Sequence, residues 1–276
     1  GVTYPIRSIR QLKSEFGMEY ELSASKDADI RMTFFSHFYL GDSIKSHLRE
    51  PLAVPFEAKE PKVAIIQAAC NSSLFSYRSD YVLSLIRHLD RHNMTASLGK
   101  CWHNADARYP WDDNGMGWRP MAFHLNKIAN IRGYMFTLCH ESIEADDWVT
   151  EKVYHALAAG SVPVYRGSSD ISKYLPCSNC VVNANEFSTA RALADHLHEL
   201  ANNPEQYRAL LAWKDKPYQP SEFPSFERIR RSSIDTALCR LASRVDPTAY
   251  RRRANATCEG ECLEELYELH ELGGHG

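Results

Sequence analysis

Residues 134–165 read YMFTLCHESIEADDWVTEKVYHALAAGSVPVY, and this segment is the most informative about the fold class. It opens with the apolar, β-rich run Tyr134–Cys139 and closes with a second one, Val162–Tyr165, so it predicts two short strands. Between them, Glu151–Ala159 places apolar residues at helical spacing. The stretch therefore predicts a strand–helix–strand unit.

The ends of the predicted helix are well defined. Thr150 is a residue type favoured at the N-cap, and Gly160 can take the left-handed position that ends a helix. A helix N-terminus after a strand presents N–H groups and a positive dipole end, which suit a diphosphate. Lys152 would add a positive charge there, and Glu151 could accept hydrogen bonds from sugar hydroxyls. From spacing alone, two ordinary exposed first-turn residues are the commoner alternative.

Further strands and helices alternate along the chain. The predicted strands are Lys62–Gln67, Ala96–Gly99 and Cys180–Asn183, and the predicted helices are Ser79–His92, Met121–Ile131 and Thr189–Asn202. This alternation predicts an α/β fold with a parallel sheet, and such sheets bind ligands at the carboxyl ends of their strands.

Composition shifts predict three segments. Three prolines interrupt residues 50–61, which we interpret as a linker between an incomplete amino-terminal domain (1–58) and the α/β domain (59–222). The amino-terminal part offers only two candidate strands, Glu15–Leu22 and Ala28–Phe34. A carboxyl-terminal helix and tail occupy 223–276, with one amphipathic helix predicted from Pro224 to Ala242.

Charge and hydropathy exclude some function classes. The net charge of −3 argues against a nucleic-acid binder, which would carry a basic stripe. Arg251–Arg253 is a short cluster beside an acidic run, typical of a solvated tail. The chain has no apolar run of about 18 residues, so we expect neither a membrane span nor a signal peptide within it.

Cysteines and glycosylation sequons favour a secretory-pathway protein. Of the eight cysteines, Cys177 with Cys180 and Cys258 with Cys262 are close pairs that fit disulfides, a metal site or reduced thiols. Zinc is the weaker alternative, because only His270 and His275 lie near the second pair. Sequons occur at Asn71, Asn93 and Asn255.

The decisive stretch also resembles a known signature, that of the α-1,3/1,4-fucosyltransferases, which reads approximately F-E-N-S-x-x-x-D-Y-V-T-E-K and then A-L-x-A-G-x-V-P-V. The matching residues are Glu141, Asp147, Val149–Lys152, Ala156–Leu157, Ala159–Gly160 and Val162–Val164, followed by Gly167, Pro176 and Glu186–Phe187. Upstream, Ala64–Arg78 resembles the family's first donor-domain strand and its loop to a phosphate-binding arginine. Gly99–Asn104 resembles its glycine-led turn. The resemblance spans roughly residues 60 to 190 and is nearest to the plant and algal branch.

The resemblance implies a two-domain Rossmann-like glycosyltransferase of the GT-B type. Residues 1–58 would belong to the acceptor-side domain, and 59–222 would form the domain that binds GDP-fucose. The implied donor-site residues are Arg78 and Lys152 at the diphosphate, Glu151 at the ribose or fucose hydroxyls, Trp148 in place of a nucleotide-contacting tyrosine, and Glu141 and Thr150 within the signature. The implied reaction is an inverting transfer of fucose to a GlcNAc-containing glycan in α-1,3 linkage.

Some features depart from the family pattern. Trp148 lacks the phenol oxygen of the tyrosine it replaces, so an indole N–H takes over as donor or the hydrogen bond is lost. Ser142 and Ile143 replace Asn-Ser, and His140 replaces an aromatic residue. The family's base glutamate falls just before Gly1, so the catalytic residue stays unknown. Glu15, Glu19 and Glu21 are substitutes that nothing in their spacing recommends.

The resemblance also sets expectations for partners and location. We expect a glycan or glycoprotein acceptor and no required cofactor or metal ligands, because the family fold that the resemblance implies generally uses basic residues at the diphosphate. Stimulation by Mn²⁺ stays open. The implied location is the Golgi lumen, with the full-length protein a type II protein of the Golgi membrane. A catalytically silent nucleotide-sugar or glycan-binding protein on the same fold is the alternative function.

Overall fold

The computed structural model describes residues 20–70, 76–111 and 120–245. The strands are β1 (Leu22–Ser23), β2 (Ile30–Arg31), β3 (Glu60–Ile65), β4 (Thr95–Ser97), β5 (Tyr134–His140), β6 (Val162–Arg166) and β7 (Val182–Asn183). The α-helices are α1 (His37–Leu40), α2 (Ser76–Leu89), α3 (Met121–Ile131), α4 (Glu151–Ala159), α5 (Ala190–Ala201), α6 (Pro204–Ala209), α7 (Pro224–Arg231) and α8 (Ile234–Val245).

A five-stranded parallel sheet forms the centre of the fold, which confirms the predicted α/β class. Its strand order is β4-β3-β5-β6-β7. The chain leaves β3 toward β4 and then crosses back to β5 on the other side of β3. The strand order therefore reverses between β3 and β5, and ligands of open α/β sheets bind at the carboxyl ends of such strands.

Helices cover both faces of this sheet. Alternate side chains of a strand point to opposite faces. Val63 and Ile65 accordingly pack in the cluster that contains buried residues of α2 and α5, whereas Ala64 packs in the cluster of α3 and α4. Because both faces are buried, the strands carry apolar runs rather than an alternating pattern.

The strand–helix–strand unit forms as the sequence predicts. Helices α3 and α4 have the predicted bounds. Gly160 has φ +66°, the left-handed conformation expected where α4 ends. Thr150 lies at the N-cap, but its side chain does not cap the helix. That hydroxyl is engaged in the candidate functional site instead.

The predicted single helix Pro224–Ala242 is wrong, because the chain breaks it into α7 and α8. The backbone of the amino-terminal segment forms hydrogen bonds with the residues between α7 and α8. Thr33 N–H donates to Ser232 O at 2.8 Å, and Ile234 N–H donates to Thr33 O at 3.1 Å. Ser233 Oγ accepts from Asp235 N–H at 3.2 Å, a local bond of the kind that competes with helix continuation.

The described amino-terminal part packs directly on the sheet domain. Strands β1 and β2 pair over two residues each, so β2 is shorter than the predicted strand Ala28–Phe34, whereas residues 15–19 of the other predicted strand lie outside the described residues. Phe35, Leu40 and Leu48 are fully buried in the same cluster as the helix residue Tyr154. The division at residues 58 and 222 stays a prediction.

Two disulfides occur among the described residues. Cys177–Cys180 confirms one predicted pair. Cys70–Cys101, which the sequence did not predict, joins the loops that follow the neighbouring strands β3 and β4. Cys258 and Cys262 lie outside the described residues, as do His270, His275, Asn71, Asn255 and Arg251–Arg253. Within the described ranges, no helix combines the length and apolar character needed to cross a membrane.

Candidate functional site

A cleft of about 460 Å³ opens at the carboxyl ends of β3 and β5, where the strand order reverses. This volume falls within the usual range of small-molecule sites. Among the described residues its lining comprises Ile65, Ile66, Gln67, Ala68, Ala69, Arg78, Gly99, Lys100, Trp111, Phe123, His124, Lys127, Thr137, Leu138, His140, Glu151 and Lys152. Three of the six predicted donor-site residues, Arg78, Glu151 and Lys152, therefore share one cleft.

Glu151 and Lys152 begin α4, and each has a different charged partner. Lys152 Nζ donates to Glu141 Oε2 at 2.8 Å and to Thr150 Oγ1 at 2.6 Å. Glu151 Oε1 lies 4.0 Å from Nζ of Lys127, a residue of α3. The two adjacent residues of the signature thus take part in two separate ion pairs.

Glu141 organises the start of α4 without lining the cleft. It is fully buried, and its carboxylate accepts hydrogen bonds from Thr150 N–H and Thr150 Oγ1, each at 2.8 Å, besides the one from Lys152. These bonds satisfy a buried carboxylate, which would otherwise be costly. Glu141 and Thr150 therefore position Lys152 and the first turn of α4.

A glycine makes room for this carboxylate. A Cβ atom at Gly167 would lie 2.8 Å from Glu141 Cγ and 2.6 Å from the Tyr165 hydroxyl. No larger residue fits without displacing one of them. Close packing against Glu141 and Tyr165 thus explains why this position of the signature is a glycine in this chain.

The electrostatics of the cleft keep Glu151 and Lys152 ionised. Burial would raise the pKa of Glu151, but Lys152 and Lys127 outweigh burial and hold that pKa below its usual value. Burial would lower the pKa of Lys152, but Glu151 and Glu141 outweigh it and raise that pKa. The cleft therefore presents an ionised carboxylate beside a charged ammonium group.

Arg78 adds a further cation from the opposite wall. It lies in the first turn of α2, directly after the loop that follows β3, and its side chain is half-buried. Lys100, in the turn after β4, lines the same cleft and is exposed. The cleft thus combines two further cations with the N-terminus of α4, an arrangement suited to an anion.

Trp148 lies outside the cleft lining. Its ring is half-buried and makes an edge contact with Phe34, at 5.8 Å between ring centroids. Its indole N–H donates to Ser142 Oγ at 3.3 Å, so two of the departures from the family pattern contact each other. A direct nucleotide contact by Trp148 stays a prediction.

A row of aromatic rings, which the sequence did not predict, begins in the cleft lining and continues beyond it. Rings contact one another in an unbroken row, with centroid distances of 4.8 to 5.8 Å, through Trp111, Phe123, His124, Tyr39, Phe34 and Trp148. The first three line the cleft. The aromatic content of α3 was the available signal, but the row also needs residues from the amino-terminal segment.

His140 is a neutral group at the end of β5. It is buried, and burial together with Arg166 and Arg78 lowers its pKa to about 3. Its ring makes an edge contact with Tyr81 at 5.5 Å. His140 thus contributes an uncharged ring in the place of the family's aromatic residue.

The structure assigns no catalytic base. Glu21 is not among the described residues that line the cleft, and its carboxylate accepts a hydrogen bond from Ser23 Oγ. Glu15 and Glu19 lie outside the described residues.

Within the described ranges, no group of three or more His, Cys, Asp or Glu side chains is arranged to hold a metal ion.

Comparison with known proteins identifies relatives of this chain. It is 32% identical over 174 residues to GDP-fucose protein O-fucosyltransferase 3 of Gallus gallus, covering 63% of this chain and 32% of that protein. It is 29% identical over 143 residues to an alpha-(1,4)-fucosyltransferase of Arabidopsis thaliana, covering 52% of this chain and 31% of that protein. The chain thus spans about a third of the length of these relatives.

Solved structures resemble the chain more distantly. A crystal structure of an alpha1,3-fucosyltransferase with GDP has 17% sequence identity and a TM-score of 0.46, covering 75% of this chain and 54% of the other. The family model for the carboxyl-terminal part of glycosyltransferase family 10 (fucosyltransferase) matches residues 56–259, which is most of the chain and includes the whole cleft. The chain therefore belongs to glycosyltransferase family 10, the fucosyltransferases.

Proposed function

We propose that this chain carries the GDP-fucose site of an inverting fucosyltransferase. The observation that carries the proposal is the cleft at the N-terminus of α4, which Lys152, Arg78 and an ionised Glu151 line together. Cations and helix N–H groups suit the diphosphate, and the carboxylate suits hydroxyl donors. The charged groups of the cleft therefore complement those of a nucleotide sugar.

The cations of the cleft would assist departure of the nucleotide. The acceptor hydroxyl attacks fucose C1 from the face opposite GDP, so an O–C1 bond forms while the bond from C1 to the phosphate oxygen breaks. Negative charge then develops on the diphosphate, where Lys152 and Arg78 stabilise it. The hydroxyl proton goes to a base that the described residues do not supply.

We propose a GlcNAc-containing glycan as the acceptor, with an α-1,3 linkage. The resemblance of residues 134–165 to the α-1,3/1,4 signature supports this choice. The Arabidopsis relative is named an alpha-(1,4)-fucosyltransferase, and the Gallus gallus relative is named a protein O-fucosyltransferase. A protein hydroxyl is accordingly the second candidate acceptor, and product analysis with both acceptor types separates the two.

We also propose that the transfer needs no metal ion, because basic side chains lie where the leaving charge develops. Activity retained in EDTA would support this, and activity restored only by Mn²⁺ would contradict it.

For location we propose the Golgi lumen. Asn93 of one sequon is exposed, so it is available to a glycan; glycosylation of Asn93 in secreted protein would support lumenal passage, and an unmodified Asn93 would count against it.

Calorimetric binding of GDP and GDP-fucose to the chain tests the donor site, with UDP-galactose as the competing nucleotide sugar. We expect guanine nucleotides to bind selectively and Lys152→Ala to weaken them by about tenfold or more. Binding without transfer, in a protein that includes the family's amino-terminal glutamate, would favour the silent alternative. A folded chain that binds none of the three ligands would contradict the proposal.

A further inference from the structure

Lys127 is a cation that the signature does not contain, yet it lines the cleft. It lies on α3, opposite the start of α4, and its side chain is only 12% exposed. Removing an ammonium group from water is unfavourable unless a partner compensates it. Its partner in this chain is the carboxylate of Glu151.

This pairing crosses between two helices. The neighbour of Glu151 in the chain, Lys152, directs its ammonium group to Glu141 and Thr150 instead. Glu151, 18% exposed, therefore faces Lys127 across the cleft wall. Burial lowers the pKa of Lys127, and the charge of Glu151 opposes that shift.

The distance within the pair suits a third group. Nζ of Lys127 and Oε1 of Glu151 are 4.0 Å apart, too far for a direct hydrogen bond. A hydroxyl is both a donor and an acceptor, so it can donate to the carboxylate while it accepts from the ammonium group. A phosphate oxygen can only accept, and the carboxylate would repel it. The pair thus suits a sugar hydroxyl better than a diphosphate.

We infer that Lys127 is a specificity-determining residue for the sugar of the donor. Together with Glu151 it binds a hydroxyl of the nucleotide-linked sugar, whereas Lys152 and Arg78 serve the diphosphate. The inference rests on the proposed function, because it assigns part of the same cleft. It separates the cations of the cleft into one that recognises the sugar and others that recognise the phosphates.

The test compares dissociation constants for GDP-fucose and GDP by calorimetry. The variants are Lys127→Met, Lys127→Gln, Lys127→Arg and the matched control Lys100→Met, which removes another lysine of the cleft. We expect Lys127→Met and Lys127→Gln to raise the ratio of the GDP-fucose constant to the GDP constant by about tenfold. Lys127→Arg keeps the positive charge and should raise this ratio much less than Lys127→Met does. Lys100→Met should leave the ratio unchanged.

The outcomes distinguish the inference from the proposed function. If a folded Lys127→Met or Lys127→Gln protein weakens GDP and GDP-fucose equally, Lys127 contributes only charge and the inference is wrong while the donor site stands. An unchanged ratio overturns it in the same way. If the wild-type chain binds neither ligand, the donor site itself fails, and the role of Lys127 fails with it.

Discussion

Lys152 Nζ lies 2.8 Å from Oε2 of Glu141, a carboxylate that is fully buried behind the cleft. This contact fixes a ligand-facing cation from the interior of the protein. It makes the start of α4 dependent on a residue that does not line the cleft. Both stability and ligand binding should respond when that buried group is changed.

Glu141→Gln should destabilise the protein by about 3 kcal/mol, because removing one charge of a buried pair leaves the other uncompensated. It should also weaken GDP binding, since Lys152 loses the charged acceptor that orients it. Urea denaturation and calorimetry measure the two effects. Glu144→Gln is the control, because Glu144 pairs with Arg166 at the protein surface and should cost at most about 1 kcal/mol. Equal effects of the two substitutions would contradict this role of Glu141.

Gly167→Ala should destabilise the protein by about 1 to 3 kcal/mol, because the new methyl group would displace Glu141 or Tyr165. Gly133→Ala is a matched control, since a Cβ atom there meets nothing within 4 Å. Thermal or urea unfolding of the two variants gives the comparison. A Gly167→Ala protein as stable as Gly133→Ala would show that the space beside Glu141 is not tight.

The disulfide Cys70–Cys101 should support the cleft. Its cysteines adjoin the lining residues Ala69 and Lys100. It closes a loop between positions 31 apart, so replacing both cysteines with serine should cost about 3 to 4 kcal/mol. We expect GDP binding to weaken as well, because the two loops lose their link.

The control for that change is the double serine variant at Cys177 and Cys180, which are 3 positions apart. Its shorter loop predicts a smaller loss, about 2 kcal/mol, and this disulfide lies away from the lining residues. Denaturation and calorimetry on both variants make the comparison. Weaker GDP binding in the control, with unchanged binding in the first variant, would contradict the role of Cys70–Cys101.

His140 should make stability fall in acid. Burial lowers its pKa from the ordinary 6.5 to about 3 in the folded protein, so between about pH 6.5 and pH 3 only the unfolded chain takes up its proton. The stability contribution is therefore complete above that pH and is lost as pH falls toward 3. Between about pH 8 and about pH 5, His140→Phe should gain about 2 kcal/mol relative to the wild type. Urea denaturation at both pH values checks this; an unchanged difference would show that His140 protonates equally in both states.

The sequence predicted the local structure around α4 well, because its signals are local. Periodicity gave the bounds of the helix, and Gly160 marked its end. The resemblance to the fucosyltransferase signature grouped Arg78 with Glu151 and Lys152, and the three line one cleft because residues after the carboxyl ends of neighbouring parallel strands meet at one edge of a sheet.

The features that the sequence missed depend on tertiary neighbours. The partner of Glu151 is Lys127 on another helix, and no spacing rule relates the two positions. The break between α7 and α8 depends on pairing with Thr33, some 200 positions earlier in the chain. Cys70 and Cys101 become neighbours only once β3 and β4 pair.

A crystal structure of the chain with GDP bound tests the central claim most directly. We expect the diphosphate at the N-terminus of α4, within hydrogen-bond reach of Lys152 Nζ and the Arg78 guanidinium. A diphosphate bound elsewhere, with Lys152 and Arg78 making no contact to it, would contradict the assignment of this cleft as the donor site.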